Sequence, residues 1–101
     1  ETEAARLLAY EVAYLQSKGQ VPNMEASMSK VTGTRLVQKV SAFGVELLGM
    51  YGQLERDSPH VVMEGRLLER HLRSFSATIA AGTTEIQKNI IATRGLGLPR
   101  G

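Results

Sequence analysis

Apolar side chains recur at helical spacing along most of this chain, and this periodicity is the feature that most limits its fold. In the first segment, from about residue 2 to residue 18, they lie three or four positions apart and share one helical face: Ala5, Leu8, Val12 and Leu15. No segment alternates apolar and polar residues with the period of two that a half-buried strand shows. The sequence therefore predicts an all-α protein.

Glycine and proline mark where the first two predicted helices end and begin. Gly19 and Pro22 end the first helix, since neither continues a helix readily. The second is expected to run from Asn23, as its cap, to about Met50, near a cluster of glycines that lower helix propensity. Its apolar positions keep a helical period: Met24, Met28, Val31, Leu36, Val40, Phe43 and Leu47.

A turn-rich stretch from Gly52 to Pro59 precedes a third predicted helix. Ser58-Pro59 favours a helix start, because proline is tolerated in a first turn. The helix is expected to stop near Ala81-Gly82. Its apolar side consists of Val62, Leu67, Leu68, Leu72, Phe75 and Ile79.

The last predicted helix begins with a Thr-x-x-Gln capping box formed by Thr84 and Gln87. Three isoleucines, Ile86, Ile90 and Ile91, are predicted to face the core, and glycines and a proline close the chain. Four helices of this kind predict an up-down helical bundle.

Composition limits the functions that such a bundle can carry. The chain has 101 residues and 43% hydrophobic residues, which allows one domain with a thin core. It has no cysteine, which excludes disulfides and thiolate metal sites, and we expect a cytoplasmic location. The net charge of only +2, with bases and acids interleaved, argues against nucleic acid or membrane partners, and no apolar run is long enough for a membrane span. Because the sequence starts without methionine inside a predicted helix, we expect a piece of a longer protein.

The loop from Ala80 to Thr83 is the first candidate for chemistry. It opens a helix, so several backbone N–H groups lie unpaired at the positive end of a helix dipole. Such groups bind an oxyanion, a phosphate or a flavin carbonyl. Most capped helices bind nothing, however, so this pattern alone does not assign a ligand.

Two longer motifs resemble those of one enzyme family. The segment from Gly82 to Arg100, GTTEIQKNIIATRGLGLPR, is similar to the C-terminal segment of acyl-CoA dehydrogenases, especially the bacterial branch with a Gly-Leu-Pro-Arg-like tail. The segment from Val45 to Gly52 lies where that family has a Gln-x-x-Gly-Gly-x-Gly turn, and the spacing between the two motifs also fits.

This resemblance implies a fold, a reaction and partners. The family has an N-terminal α domain, a middle β domain and a C-terminal helical bundle, and residues 1–101 would form that last bundle without its first helix. Such enzymes oxidise an acyl-CoA thioester to the trans-2-enoyl-CoA with FAD, which is held between domains and subunits. Electrons then pass to an electron-transfer flavoprotein. The resemblance thus implies an oligomer, of one or two kinds of subunit, with FAD as cofactor.

The resemblance also assigns individual residues. Gly82, Thr83 and Glu85 match family positions that line the flavin, and Ala81 matches the position of the glutamate that usually removes the α-proton. In the family, the backbone N–H of that residue also hydrogen-bonds the thioester oxygen. Ala81 keeps an N–H but has no carboxylate.

Alanine cannot abstract a proton, which leaves two explanations open. Some family members, including isovaleryl-CoA and long-chain enzymes, place the base on the first helix of this bundle and have a small residue at the position of Ala81. Alternatively, this polypeptide is a non-catalytic partner subunit. We prefer the relocated base. A helical interaction module without a cofactor is the rival from another functional class.

The upstream turn departs from the family pattern. Glu46 and Met50 stand where the family usually has glutamine and glycine in contact with the partner subunit's FAD. Met50 would crowd a cofactor, and a carboxylate would repel its pyrophosphate. FAD contacts from Glu46 and Met50 are therefore in doubt, and a solvated glutamate and a packing methionine explain them equally well.

The remaining polar residues suggest no site. His60 and His71 are far apart and lack further ligands nearby, so we expect no metal. Three arginines line one helical side: Arg66, Arg70 and Arg73. Glu69 lies four residues before Arg73 and can pair with it, which favours a solvated face over a surface that binds CoA or a protein.

Overall fold

The computed structural model describes residues 1–100 and contains four α-helices, with no β-strand among those residues. The helices are α1 (Thr2–Ser17), α2 (Asn23–Leu47), α3 (Arg66–Ala77) and α4 (Thr84–Ile90). Two 3₁₀ turns, Gly49–Gln53 and Met63–Gly65, precede α3, and a π-helical turn, Ile91–Gly95, extends α4. The predicted all-α class is confirmed. Within residues 1–100 no helix combines the length and apolar character that crossing a membrane requires.

The first helix ends where glycine was predicted to end it. Gly19 has a φ of 74°, in the left-handed region that glycine adopts without steric cost. Its N–H donates to Gln16 O at 2.9 Å, and the N–H of Gln20 donates to Leu15 O at 3.1 Å. These two bonds form a Schellman motif, which satisfies carbonyls of the last turn and lets the chain fold back into α2.

Helix α2 is the central element, because α1, α3 and α4 all pack against it. Its contact with α3 uses small and polar residues. Ser41 on α2 and Ser74 on α3 are buried, and their hydroxyls donate to Val37 O at 2.7 Å and His71 O at 2.6 Å. A Cβ atom on Gly44 would lie 3.2 Å from Leu67 Cδ2. Small side chains therefore allow α2 and α3 to approach closely.

The apolar positions do not form the buried core that the sequence predicts. No Ala, Val, Leu, Ile, Met, Phe or Tyr side chain among residues 1–100 is buried. Ile86 was predicted to face the core and is 51% exposed, whereas Ile90 and Ile91 are partly buried. The other predicted apolar positions that are half or more exposed are Val40, Phe43, Leu47, Leu72, Phe75 and Ile79.

The shape of the molecule explains this exposure. It measures 54 × 32 × 19 Å, so its thinnest dimension is close to the width of two packed helices, about 20–24 Å. Every helix in such a slab keeps one face outward. Because the contacts of α2 use its small residues, the outward faces carry much of the apolar surface.

The predicted start of the third helix is wrong. The helix begins at Arg66 instead of Ser58, because three consecutive residues before it, Met63, Glu64 and Gly65, have φ values of 52°, 57° and 71°. A right-handed helix cannot pass through such a segment. The helix also ends at Ala77, before the predicted stop at Ala81-Gly82.

The boundaries of α2 also differ from the prediction. The helix ends at Leu47, not near Met50, and Gly49 beyond it has a φ of 56°. Asn23 is its first residue and caps nothing. Instead, Asn23 Oδ1 accepts from Arg94 Nη1 at 3.0 Å, which links the start of α2 to the π-helical turn.

Two glycines allow a matched test of this packing. A Cβ atom on buried Gly52 would lie 2.3 Å from Val45 O, whereas one on Gly33, inside α2, would meet nothing within 4 Å. We expect Gly52→Ala to lower the free energy of unfolding by about 1–3 kcal/mol, as overpacking does. Gly33→Ala should raise it by up to about 1 kcal/mol through helix propensity. Denaturant unfolding followed by circular dichroism would show this, and shifts of the same sign would contradict the packing described here.

Candidate functional site

The loop between α3 and α4 has an unusual backbone conformation. The N–H of Thr84 donates back to Thr78 O at 3.1 Å and closes the loop. Ala81 has a φ of 54° and Gly82 a φ of 92°, both in the region that favours glycine. For alanine the left-handed conformation costs about 1–2 kcal/mol. Other contacts must therefore hold the loop in this shape.

Lys30 of α2 provides the largest set of these contacts. Its Nζ atom donates to the carbonyl oxygens of Ala80, Ala81 and Gly82, at 2.9 Å for Ala81 and 2.6 Å for Gly82. An ammonium group has three N–H donors, which equals the number of carbonyls. Sequence analysis missed Lys30, because one lysine in a helical pattern gives no sign of a contact 50 residues further on.

Gln87 of α4, which follows the loop in sequence, also holds the loop. Its side chain is buried, and Nε2 donates to Ala81 O at 3.2 Å. A Cβ atom on Gly82 would lie only 2.7 Å from that Nε2 atom. The φ of 92° is the reason that glycine is favoured at position 82, and a Cβ atom there would also displace the end of the Gln87 side chain.

The predicted capping box is wrong, and Thr83 caps α4 in place of Thr84. The Thr83 side chain accepts from the N–H of Ile86 at 3.3 Å, while Gln87 contacts Ala81. Either of two adjacent threonines could cap the helix, and the backbone conformation determines which one does. Thr83 has the extended φ and ψ of −61° and 163° that a cap residue requires.

Three backbone N–H groups of this loop remain available. Those of Ala81, Gly82 and Thr83 have no hydrogen-bond acceptor among residues 1–100. Ala81 is exposed, and Gly82 and Thr83 are partly exposed. Consecutive N–H groups of this kind can bind an oxygen atom that carries negative charge. The predicted site residues Ala81, Gly82 and Thr83 are thus brought together, with Glu85 exposed in the first turn of α4.

The other two predicted site residues lie elsewhere. Glu46 is in the last turn of α2 and Met50 is in the 3₁₀ turn beyond it, where its side chain is 87% exposed. Glu46 is 46 − 30 = 16 residues beyond Lys30, which corresponds to about 24 Å along a helix. The structure therefore separates this turn from the loop, and the two cannot line one site within a single chain.

The two histidines and the three arginines considered in the sequence analysis lie on α3 or in the loop before it. His60 is exposed, and His71 Nδ1 lies 3.5 Å from Ser41 Oγ. No group of three or more potential metal ligands occurs among residues 1–100. Arg73 Nη2 lies 2.8 Å from Glu69 Oε1, which confirms the predicted ion pair on an exposed face.

Comparison with known proteins identifies the family. Residues 1–96 match the family model described as the acyl-CoA dehydrogenase C-terminal domain. The chain therefore belongs to the acyl-CoA dehydrogenase family. It is 35% identical over 103 residues to acyl-CoA dehydrogenase FadE26 of Mycobacterium tuberculosis, a match that covers 99% of this chain and 26% of that protein.

Solved structures show the same similarity. The ChsE4-ChsE5 complex from Mycobacterium tuberculosis matches with a TM-score of 0.87 and 33% identity, over 98% of this chain and 26% of that one. The Tcur3481-Tcur3483 steroid ACAD matches with a TM-score of 0.91 and 27% identity, over the same shares. The chain thus spans about a quarter of the length of these relatives.

The position of the cap can be tested with two neighbouring threonines. Thr83→Ala removes the acceptor for the N–H of Ile86, so we expect the free energy of unfolding to fall by about 1 kcal/mol. Thr84→Ala removes no capping bond and should change it by less than about 0.5 kcal/mol. Denaturant unfolding of both variants measures the difference. A larger decrease in the free energy of unfolding for Thr84→Ala would instead support the capping box predicted from sequence.

Proposed function

We propose that this chain is the C-terminal helical part of an FAD-dependent acyl-CoA dehydrogenase that oxidises an acyl-CoA thioester to the trans-2-enoyl-CoA. Family membership over residues 1–96 supports the reaction class. The single observation that carries the site is the set of N–H groups on Ala81, Gly82 and Thr83 that lack an acceptor among residues 1–100. In this proposal residues 1–101 form one C-terminal bundle domain of a longer protein.

The N–H of Ala81 is proposed to bind the thioester oxygen of the substrate. Loss of the α-proton puts negative charge on that oxygen, and a donor that is already oriented stabilises this charge more than it stabilises the neutral thioester. Such a donor lowers the barrier by a few kcal/mol. Ala81 is exposed, so its N–H is accessible to a substrate.

The base must come from outside this loop. Ala81 has only a methyl side chain, and Glu85, in the first turn of α4, is four residues further on. We therefore propose that the α-proton is removed by a carboxylate on the helix that precedes residue 1 in the full-length protein. A small side chain at Ala81 then leaves room for the acyl chain.

The loop fits a flavin better than the turn after α2 does. N–H groups of Gly82 and Thr83 can donate to an oxygen of the isoalloxazine ring, with Glu85 beside them. When bound, FAD accepts the hydride from the β-carbon. At the turn, the carboxylate of Glu46 would repel the pyrophosphate and Met50 occupies the position of a glycine, so we assign no cofactor contact there.

Exposed apolar faces support an oligomer. Apolar side chains on α2 and α3 that are half or more exposed include Phe43, Leu47, Leu72 and Phe75. Apolar surface of this extent marks an interaction site, and the ChsE4-ChsE5 structure is a complex of two kinds of chain. We propose a homo- or hetero-oligomer in the cytoplasm that passes electrons to an electron-transfer flavoprotein.

One alternative has a specific observation in its favour. Ala81 stands at the position of the usual base, and one similar solved structure is the ChsE4-ChsE5 complex, which has two named components. This chain would then belong to a non-catalytic partner that contributes contacts, and no active site, to a dehydrogenase complex.

The 101-residue chain alone is expected to bind FAD weakly and to lack dehydrogenase activity. It covers about a quarter of its relatives' length, so most groups that would surround the flavin are absent. Titration with FAD, followed by flavin fluorescence, measures this. Stoichiometric binding at micromolar concentration would show instead that the chain forms a complete flavin site.

A substitution at Ala81 distinguishes a relocated base from a non-catalytic subunit in the full-length protein. If the base lies upstream, Ala81→Glu places a second carboxylate near the first, and each raises the pKa of the other. Activity with the native acyl-CoA should fall, whereas removing the upstream carboxylate should lower turnover by about 10²–10⁴-fold. Ferrocenium reduction measures both variants, with Ala77→Glu on α3 as a control for added charge.

A non-catalytic subunit would give the opposite result with the same variants. If the subunit is non-catalytic, the unmodified protein is inactive and Ala81→Glu alone produces turnover. That outcome would rule out the hypothesis that the base lies on an upstream helix.

A further inference from the structure

Lys30 makes an unusual set of contacts for a lysine. Its ammonium group donates to three consecutive carbonyl oxygens, those of Ala80, Ala81 and Gly82, which lie 50, 51 and 52 residues away. Lysines on protein surfaces usually extend into solvent or pair with a carboxylate. Lys39, on the same helix, does the latter, with Nζ 2.7 Å from Glu1 Oε1.

The three carbonyls fix the direction of three N–H groups. All peptide bonds among residues 1–100 are trans, and in a trans peptide the C=O and the following N–H point in opposite directions. The carbonyls of residues 80, 81 and 82 converge on Lys30, so the N–H groups of Ala81, Gly82 and Thr83 are directed away from it. These are the N–H groups that have no acceptor among residues 1–100.

The charge of Lys30 strengthens the same three donors. None of the ion pairs among residues 1–100 involves Lys30, so no carboxylate neutralises its charge there. A cation that binds a carbonyl polarises the peptide unit and makes its N–H a better donor, because hydrogen bonds in series reinforce one another. Lys30 therefore sets both the direction and the donor strength of these three N–H groups.

We infer that Lys30 is a positioning residue for the reaction: its ammonium group orients and polarises the three peptide units whose N–H groups receive the thioester and the flavin. This role rests on the proposed function of the loop. Lys30 itself lies on the opposite side of the peptide units from the substrate. It acts through the backbone of Ala81, Gly82 and Thr83.

Three variants of the full-length protein test this inference. Lys30→Met keeps most of the length of the side chain and removes the charge and all three donors. Lys30→Arg keeps the charge, although its planar fork cannot reach three carbonyls in the same geometry. Lys39→Met removes an exposed lysine from the same helix and serves as the matched control.

The kinetic readout is the division between kcat and KM. Small misplacement of a preorganised group can cost about 10²-fold in rate, so we expect kcat of Lys30→Met to fall by about that factor, with a much smaller change in KM. Lys30→Arg should recover part of the loss, and Lys39→Met should be unchanged. If kcat of Lys30→Met stays within about twofold of the unmodified protein, or Lys30→Arg recovers nothing, the positioning role is overturned.

A spectroscopic readout is independent of activity. Alanine and glycine labelled with ¹³C at the carbonyl report hydrogen bonding at Ala80, Ala81 and Gly82 in the full-length protein. We expect these three signals to move upfield in Lys30→Met and to stay in place in Lys39→Met. Unchanged signals in Lys30→Met would overturn the inference whatever the kinetics show.

The two readouts also distinguish this inference from the function on which it rests. If the unmodified full-length protein is inactive while the carbonyl signals respond to Lys30→Met, the proposed function fails and Lys30 is only an organiser of the loop. If the protein is active and the signals do not respond, the function stands and the role of Lys30 fails.

Discussion

The close contact of α2 with its neighbours is the constraint on which the rest of this structure depends. Gly44 of α2 lies against the Leu67 side chain of α3, Ser41 Oγ lies 3.5 Å from His71 Nδ1, and Ser41 and Ser74 are both buried. Hydroxyls in this contact bond to carbonyls of their own helices, so no polar group is left without a partner there. The same contact leaves larger apolar side chains facing outward. This explains why the buried side chains include serines and a glutamine, whereas no Ala, Val, Leu, Ile, Met, Phe or Tyr side chain among residues 1–100 is buried.

The geometry of the α3–α4 loop follows from the position of α2. Lys30 reaches the loop because α2 packs against α4, and Gln87 reaches Ala81 from the first turn of α4. These contacts offset the cost of a left-handed alanine, about 1–2 kcal/mol, and leave three N–H groups without acceptors. Strain of this kind is often stored where a protein binds a ligand. The contacts that hold the loop in this shape thus also leave its three N–H groups without acceptors among residues 1–100.

The length of α2 places the two motifs of the acyl-CoA dehydrogenase family at opposite ends of one helix. Lys30 and the loop lie near its first half, whereas Glu46 and Met50 lie at its end, about 24 Å away by helical rise. A chain of this shape can present the two motifs to two different sites in an oligomer. Glu46 and Met50, where the sequence departs from the family pattern, therefore lie in a different part of the molecule from Ala81.

Sequence by itself determined the class of fold, the end of α1 and the family. Helical periodicity, the left-handed preference of Gly19 and the long motif from Gly82 onward are local properties, and each is readable without knowing what packs against it. The candidate loop residues Ala81, Gly82 and Thr83 could be named in the same way. Their roles in binding remain proposals.

Only the tertiary structure decided which faces are buried, where α3 begins, which threonine caps α4 and what holds the loop. Periodicity shows that apolar residues share a face, but it does not show whether another element covers that face. The positive φ values of Met63 and Glu64 are unusual for their residue types and have no local sequence signal, so α3 starts later than Ser58-Pro59 predicts. Lys30 and its three carbonyls are separated by at least 50 residues, and no local pattern can bring such groups together.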